Sequence, residues 1–167
     1  MEIGDVISVE DVLLDLRPES KTRLLKDLAR HAGGRLDLPA ADVVSAVSAR
    51  ERLGSTGLGQ GVAIPHARVP GLRKSFCAFA RLAEPCPFEA VDDQDVDLVA
   101  MLLLPEGSPQ EQLNVLAKIA RLLRDPAALA QLRSVRDATA VHRLLVAGCP
   151  PSGETAQVRA LSGFSGS

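Results

Sequence analysis

The sequence predicts an α+β fold, a mixed β-sheet with helices packed on its faces, and three observations carry that prediction. Helical periodicity occupies residues 20–52, short runs suited to strands cluster in residues 62–104, and helical periodicity returns from residue 109 to 147. This block order departs from the regular alternation of a βαβ fold and points to helices layered against one sheet. The strand-like runs are apolar enough to need cover on both sides, above all Val96 to Leu104.

Each element follows from local chemistry. A helix is expected from about Ser20 to Ala32, with Leu24, Leu25 and Leu28 on one face and Lys21, Arg23 and Lys26 largely on the other. Gly33-Gly34 should stop it. A second helix is expected from Ala40 to Arg52, with Pro39 near its start, an apolar stripe of Val43, Val44 and Val47, and Gly54 past its end. Strands are expected at Val62–Ile64, at Ser75–Leu82 between the turn signals of Pro70-Gly71 and Pro85, and at Val96–Leu104. The intervening Asp92-Asp93-Gln94-Asp95 reads as a solvated turn. Ser108-Pro109-Gln110-Glu111 matches a capping box and opens a helix to about Arg124, with Leu113, Leu116, Ala117 and Ala120 at helical spacing. Asp125-Pro126 opens another to about Val135, and a last helix spans Ala138 to Ala147. Residues 1–147 thus form one expected domain, and the Gly-, Ser- and Pro-rich residues 148–167 an expected mobile tail.

Composition narrows the function. Of 167 residues, 46% are hydrophobic and 24% charged, with a formal net charge of −2, the balance of a globular protein with a core of Leu, Val and Ala. No basic excess marks a nucleic-acid partner, and with four Phe and no Trp or Tyr there is little to stack on bases. Cys77, Cys86 and Cys149 are odd in number and lack metal-ligand spacing, which fits a reducing cytoplasm and predicts neither disulfides nor a metal. The start carries no secretory pattern, and no apolar run is long enough to span a bilayer, so no membrane insertion is expected.

One segment stands out for chemistry: Leu53-Gly-Ser-Thr-Gly-Leu-Gly-Gln-Gly-Val-Ala-Ile-Pro65-His66. Four glycines, Gly54, Gly57, Gly59 and Gly61, fall within eight residues and can turn the backbone tightly and expose N–H groups, here with Ser55 and Thr56. Neither a Walker A loop nor a GxGxxG fingerprint is present. Pro65 stiffens the chain before His66, and neutral imidazole keeps one nitrogen lone pair free to accept a phosphoryl group near neutral pH. Arg50, Arg52 and Arg68 lie close in sequence and could balance the charge. Chemistry alone leaves two readings open, a structural histidine beside a connecting loop or an acceptor. His31 reads as a helix C-terminal dipole partner and His142 as a surface or packing residue.

From Ala49-Arg50-Glu51-Arg52 through Pro65-His66, the segment closely resembles the active-site signature of the mannitol/fructose-type enzyme IIA domains of the bacterial phosphotransferase system. Lys21 with Leu24-Leu25, Phe88, Val96-Asp97-Leu98-Val99 and Leu116 to Asp125 resemble the same family, so the likeness covers about residues 5 to 147. It implies a three-layer α/β/α domain with a mixed sheet. It further implies transient phosphorylation of His66 by a histidine-containing phosphocarrier protein, with Arg50 steadying the phosphoryl group. The phosphate loop would be Gly54, Ser55, Thr56, Gly57, Gly59 and Gly61. That makes the protein a phosphotransferase with a covalent phosphohistidine intermediate, without bound cofactor, and not a stand-alone turnover enzyme. Without a fused membrane or IIB domain, the sequence most resembles the nitrogen-regulatory branch. Its implied outputs are regulatory targets such as kinases or potassium-transport components. A soluble IIA subunit of a sugar permease and a non-phosphorylated binding module are the alternatives. One departure stands in the helix after the third expected strand. Where many members carry a second histidine, the pair here is Gln112-Leu113, and Gln112 is expected to act as a neutral hydrogen-bond donor to phosphate or to His66. Ala67-Arg68 likewise replaces the common Gly-Lys or Gly-Thr.

Overall fold

The computed structural model describes residues 1–107 and 109–148. Two 3₁₀ turns, Ile3–Asp5 and Val9–Asp11, lead into β1 (Val12–Leu16). Then come α1 (Lys21–Leu36), α2 (Ala40–Arg52), β2 (Gly57–Gly59), β3 (Val62–Ala63), β4 (His66–Arg68), β5 (Phe76–Cys86) and β6 (Val96–Leu104). Helices α3 (Pro109–Leu122), α4 (Pro126–Ser134) and α5 (Ala138–Ala147) complete the described chain. The expected capping residue Ser108, Cys149 and most of the expected tail lie outside the described residues.

The sheet runs β1-β5-β6-β3-β2, and β4 also pairs with β6. Pairing is mixed: β1 with β5, and β3 and β4 with β6, are parallel, whereas β5 with β6 and β2 with β3 are antiparallel. β3 and β4 continue one register along β6, Val62 facing Leu98 and His66 facing Leu102. They are one strand interrupted at Ile64-Pro65, because proline has no N–H to give the ladder. Its carbonyl still accepts from Leu102 N–H at 2.8 Å.

β6 sets the layers. Val99, Met101 and Leu103 face a cluster with Leu24, Leu28, Val43 and Val47 of α1 and α2. Leu98, Ala100, Leu102 and Leu104 face the opposite cluster, with Val115, Ile119, Leu132 and Val141 of α3 to α5. With helices on both faces, the expected three-layer α/β/α arrangement and mixed sheet are what the chain forms. Period-two alternation, hidden in an all-apolar run, divides the strand between two cores.

Several expectations need correction. α1 does not stop at Gly33-Gly34 but continues to Leu36, where Asp37 takes the left-handed conformation that closes it. Gly33 is there for proximity: a Cβ on it would stand 2.8 Å from the Leu38 carbonyl oxygen. His31 is therefore not at the helix end. Its Nε2 lies 3.0 Å from the buried Asp11 carboxylate, which also accepts from Arg35 Nε at 2.9 Å. β1, β2 and β4 were not anticipated, each being too short or too glycine-rich to show a pattern, and β5 runs through Pro85 to Cys86. His142 has a packing role, its Nε2 lying 3.1 Å from the Ile7 carbonyl and joining α5 to the first residues.

Candidate functional site

His66 stands where the interrupted strand resumes, half-buried at the start of β4. Its Nδ1 lies 2.8 Å from the Ile64 carbonyl oxygen. A carbonyl can only accept, so Nδ1 carries the proton and the neutral ring keeps its lone pair on Nε2.

Two pockets meet at the ring. The larger, about 380 Å³, lies between α2 and the first turn of α3 and includes Arg50, Arg68, Gln112 and Leu113 in its lining. The smaller, about 250 Å³, is lined by Ser55, Thr56, Gly57 and Arg124 among others, and by Arg50 and His66 again. Arg50, Arg68 and Arg124 thus line the two pockets that His66 shares, and neither lining includes an acidic side chain. Arg124 is not singled out by the sequence, although it continues the four-residue spacing of Leu116 and Ala120 just past the end of α3. Arg50 is partly committed already: its guanidinium donates to the Gly54 carbonyl at 3.0 Å.

The glycine segment is shaped by a polar network. Lys21 Nζ meets Glu51 Oε2 at 2.8 Å, and both side chains are largely buried. Glu51 also receives Thr56 N–H at 3.4 Å and the Thr56 hydroxyl. Ser55 Oγ donates to the Phe88 carbonyl at 2.7 Å and accepts from Gly57 N–H at 3.1 Å. Lys21 sits 4.3 Å from the centre of the Phe88 ring, a cation–π contact. This network joins the start of α1 to the end of α2 and ties down the loop, a role for Glu51 that no local sequence pattern signals. At Gly57 the requirement is space, since a Cβ there would lie 2.7 Å from Ala90 Cβ.

The structure divides the six expected phosphate-loop residues. Ser55, Thr56 and Gly57 reach the smaller pocket. Gly54 closes against helix α2, its N–H donating to the Glu51 carbonyl at 3.2 Å. Gly59 and Gly61 sit farther along the β2–β3 hairpin, against Asp92 and against Arg133 with Asp97. The acidic turn has a structural task as well: Asp92 accepts from Gln60 N–H at 2.9 Å and from Gln94 N–H at 3.1 Å. Those two N–H groups, Gln60 first, hold its carboxyl below the ordinary aspartate value.

Gln112 differs from its expected role. It is 3% exposed, and its amide nitrogen donates to the carbonyls of Pro105 and Gly107. Both N–H groups are thereby spent on the turn between β6 and α3, and what remains is the acceptor Oε1, which has no partner among the described residues. Gln112 is part of the lining of the His66 pocket, with its amide N–H groups turned to the β6–α3 turn.

Leu53 and Leu113, at 85% and 60% exposure, flank the mouth of the larger pocket. Among the described residues there is no cluster of three His, Cys, Asp or Glu side chains able to hold a metal, and no helix long and apolar enough to cross a membrane.

Comparison with known proteins matches residues 5–147 to the family described as "Phosphoenolpyruvate-dependent sugar phosphotransferase system, EIIA 2". A "Nitrogen regulatory protein" of Bradyrhizobium diazoefficiens is 43% identical over 152 residues, covering 91% of this chain and 98% of the relative. The crystal structure of nitrogen regulatory protein IIA-Ntr from Neisseria meningitidis superposes with a TM-score of 0.83 at 39% identity, over 86% of this chain and 99% of that one. A "PTS system fructose-specific EIIA component" of Haloferax volcanii is 35% identical over 125 residues, 73% of this chain and 80% of the relative.

Proposed function

Because the chain belongs to the EIIA 2 family of the phosphoenolpyruvate-dependent phosphotransferase system, we propose that it is a phosphoryl-accepting regulatory protein of the nitrogen-related branch, charged on His66. The observation that carries this reading is the His66 ring itself. Nδ1–H is tied to the Ile64 carbonyl, and the Nε2 lone pair is left available in a ring lining two pockets whose other lining residues include Arg50, Arg68 and Arg124.

The donor is a histidine-containing phosphocarrier protein. His66 Nε2 attacks phosphorus, the nitrogen–phosphorus bond of the donor breaks, and its electron pair returns to the donor ring. The proton on Nδ1 stays with Ile64 throughout, so no general base is required. Because the phosphorylated ring keeps that proton it remains a good leaving group, which suits a group that must be passed on. Arg50, Arg68 and Arg124 offset a charge of about −1.5 to −2 on the phosphoryl group. Ser55, Thr56 and Gly57 shape the wall around it.

Output follows from the surroundings. Phosphorylation places anionic charge between two exposed leucines, Leu53 and Leu113, and so changes which partner surface the face complements. Regulatory targets such as kinases or potassium-transport components are the class of partner this reading implies, in a cytoplasmic setting. Identity to proteins named for nitrogen regulation favours this branch.

Incubation with a phosphocarrier protein and phosphoenolpyruvate tests the assignment by intact mass. The wild type gains one phosphate and His66→Ala none; an unmodified wild type, or a phosphorylated His66→Ala, refutes it. Likeness to a fructose-specific component supports a second reading, a permease IIA subunit. Labelled phosphate passing to the cysteine of a IIB domain, with sugar phosphorylation, would establish that one instead.

A further inference from the structure

A chain of hydrogen bonds runs, residue to residue, from the Glu51 carboxylate to the His66 ring. Glu51 accepts from the Thr56 N–H at 3.4 Å and from the Thr56 hydroxyl. The Thr56 carbonyl accepts from Ile64 N–H at 3.0 Å, and the Ile64 carbonyl accepts from His66 Nδ1 at 2.8 Å. The links are largely sealed from water, since Thr56 and Ile64 are buried and the Glu51 side chain is 6% exposed. A buried carboxylate needs a cation and donors to be tolerated, and Lys21 Nζ supplies the cation at 2.8 Å. Lys21 is itself held on Phe88, donating to its carbonyl at 3.4 Å and lying 4.3 Å from its ring centre.

The far end of this chain decides the chemistry. The Ile64 carbonyl belongs to a peptide unit closed by proline nitrogen, so that unit has no N–H of its own to pair with a neighbouring strand. Its orientation rests on the groups either side: Ile64 N–H on the Thr56 carbonyl, and the Pro65 carbonyl on Leu102 N–H at 2.8 Å. The second anchor is the central strand β6. The first is the residue before β2, the short glycine-rich strand at the edge of the sheet, and Glu51 is what holds that residue. Resting on the reading of His66 as the phosphoryl acceptor, we propose that Glu51 is a positioning residue for it. By holding Thr56 it keeps the Ile64 carbonyl where Nδ1–H can donate to it, and so keeps the Nε2 lone pair free. Glu51 lines neither pocket at His66, so its influence passes through Thr56.

The tautomer of the neutral His66 ring, read by long-range ¹H–¹⁵N correlation on the unphosphorylated protein, tests this directly. In Glu51→Ala the ratio of the Nδ1–H to the Nε2–H form should fall about tenfold, the worth of one hydrogen bond. An unchanged ratio overturns the proposal. Glu51→Gln keeps an acceptor oxygen for Thr56 and should lie between wild type and Glu51→Ala. If Glu51→Ala does not fold, Thr56→Val removes the hydroxyl link alone and should lower the ratio by about twofold or more; no change there overturns the proposal equally. Arg81→Met separates positioning from general loosening. It strips the Leu132 and Val135 carbonyls of their donor in the layer of α3 to α5, and the tautomer should stay as in wild type. An equal shift in Arg81→Met would mean that any destabilisation suffices, and would overturn the role of Glu51. Loading from the phosphocarrier protein gives a second readout: kcat should fall in Glu51→Ala with KM unchanged, because the carboxylate is buried. A raised KM with kcat unchanged would contradict the proposal. The tautomer measurement needs no phosphate, so a wild type that never loads counts against phosphorylation of His66, and an unmoved tautomer counts against Glu51.

Discussion

At His66 the deciding feature is a single hydrogen bond to a backbone carbonyl two residues earlier. It selects the tautomer, and with it the nitrogen available for chemistry, without a carboxylate partner. Arg50 is the neighbour with most to lose: it lines both pockets and is anchored on Gly54. Arg50→Ala should slow phosphoryl loading about tenfold, the lower end of what a charge-assisted hydrogen bond is worth at a half-exposed site. A rate unchanged within twofold would remove Arg50 from the mechanism. His66 and Arg50 were legible in the sequence because a long contiguous motif carries them. Arg124 and the Lys21–Glu51–Thr56 network were not, because their partners lie far apart in the chain or do their work through backbone groups. Gln112 lines the His66 pocket, yet its amide N–H groups go to the turn before α3. Its amide orientation is decided by the Pro105 and Gly107 carbonyls, and no spacing rule reports where a carbonyl points.

Among the elements, the long runs were readable and the short ones were not. Val96–Leu104 and the helices have enough residues for periodicity to emerge, whereas β2 and β4 hold three residues each and take their pairing from neighbours, β2 from β3 and β4 from β6. Helix α1 shows why a glycine pair misleads. Gly33 and Gly34 read alike in sequence, yet one packs against the turn that follows and the other faces open space. Gly34→Ala should stabilise the protein by up to about 1 kcal/mol through helix propensity. Gly33→Ala should destabilise it by about 1–3 kcal/mol, since the added methyl meets the Leu38 carbonyl. Urea unfolding of the two variants checks the pair, and equal effects would contradict the packing described for Gly33.

On the scale of the whole molecule, two apolar clusters sandwich one sheet, and Cys77 belongs to the cluster beneath α3 to α5. Burial first, and the Asp11 charge second, push its thiol up to about 12. A thiol whose ionisation is raised by folding contributes stability that is complete below its unfolded value. That contribution is lost as pH rises from there, near pH 9, through the folded value. Cys77→Ala should therefore show a shallower loss of stability between about pH 9 and 12 than wild type, measured by urea midpoints across that range; parallel curves would contradict it. The same sheet pairs the interrupted strand with β6 on both sides of Pro65, which links the fold to the chemistry proposed for His66. The most direct test is long-range ¹H–¹⁵N correlation of the His66 ring before and after phosphorylation. Nδ1 should be protonated in both states, with phosphorus on Nε2. Phosphorus on Nδ1, or a free ring whose proton sits on Nε2, would contradict it.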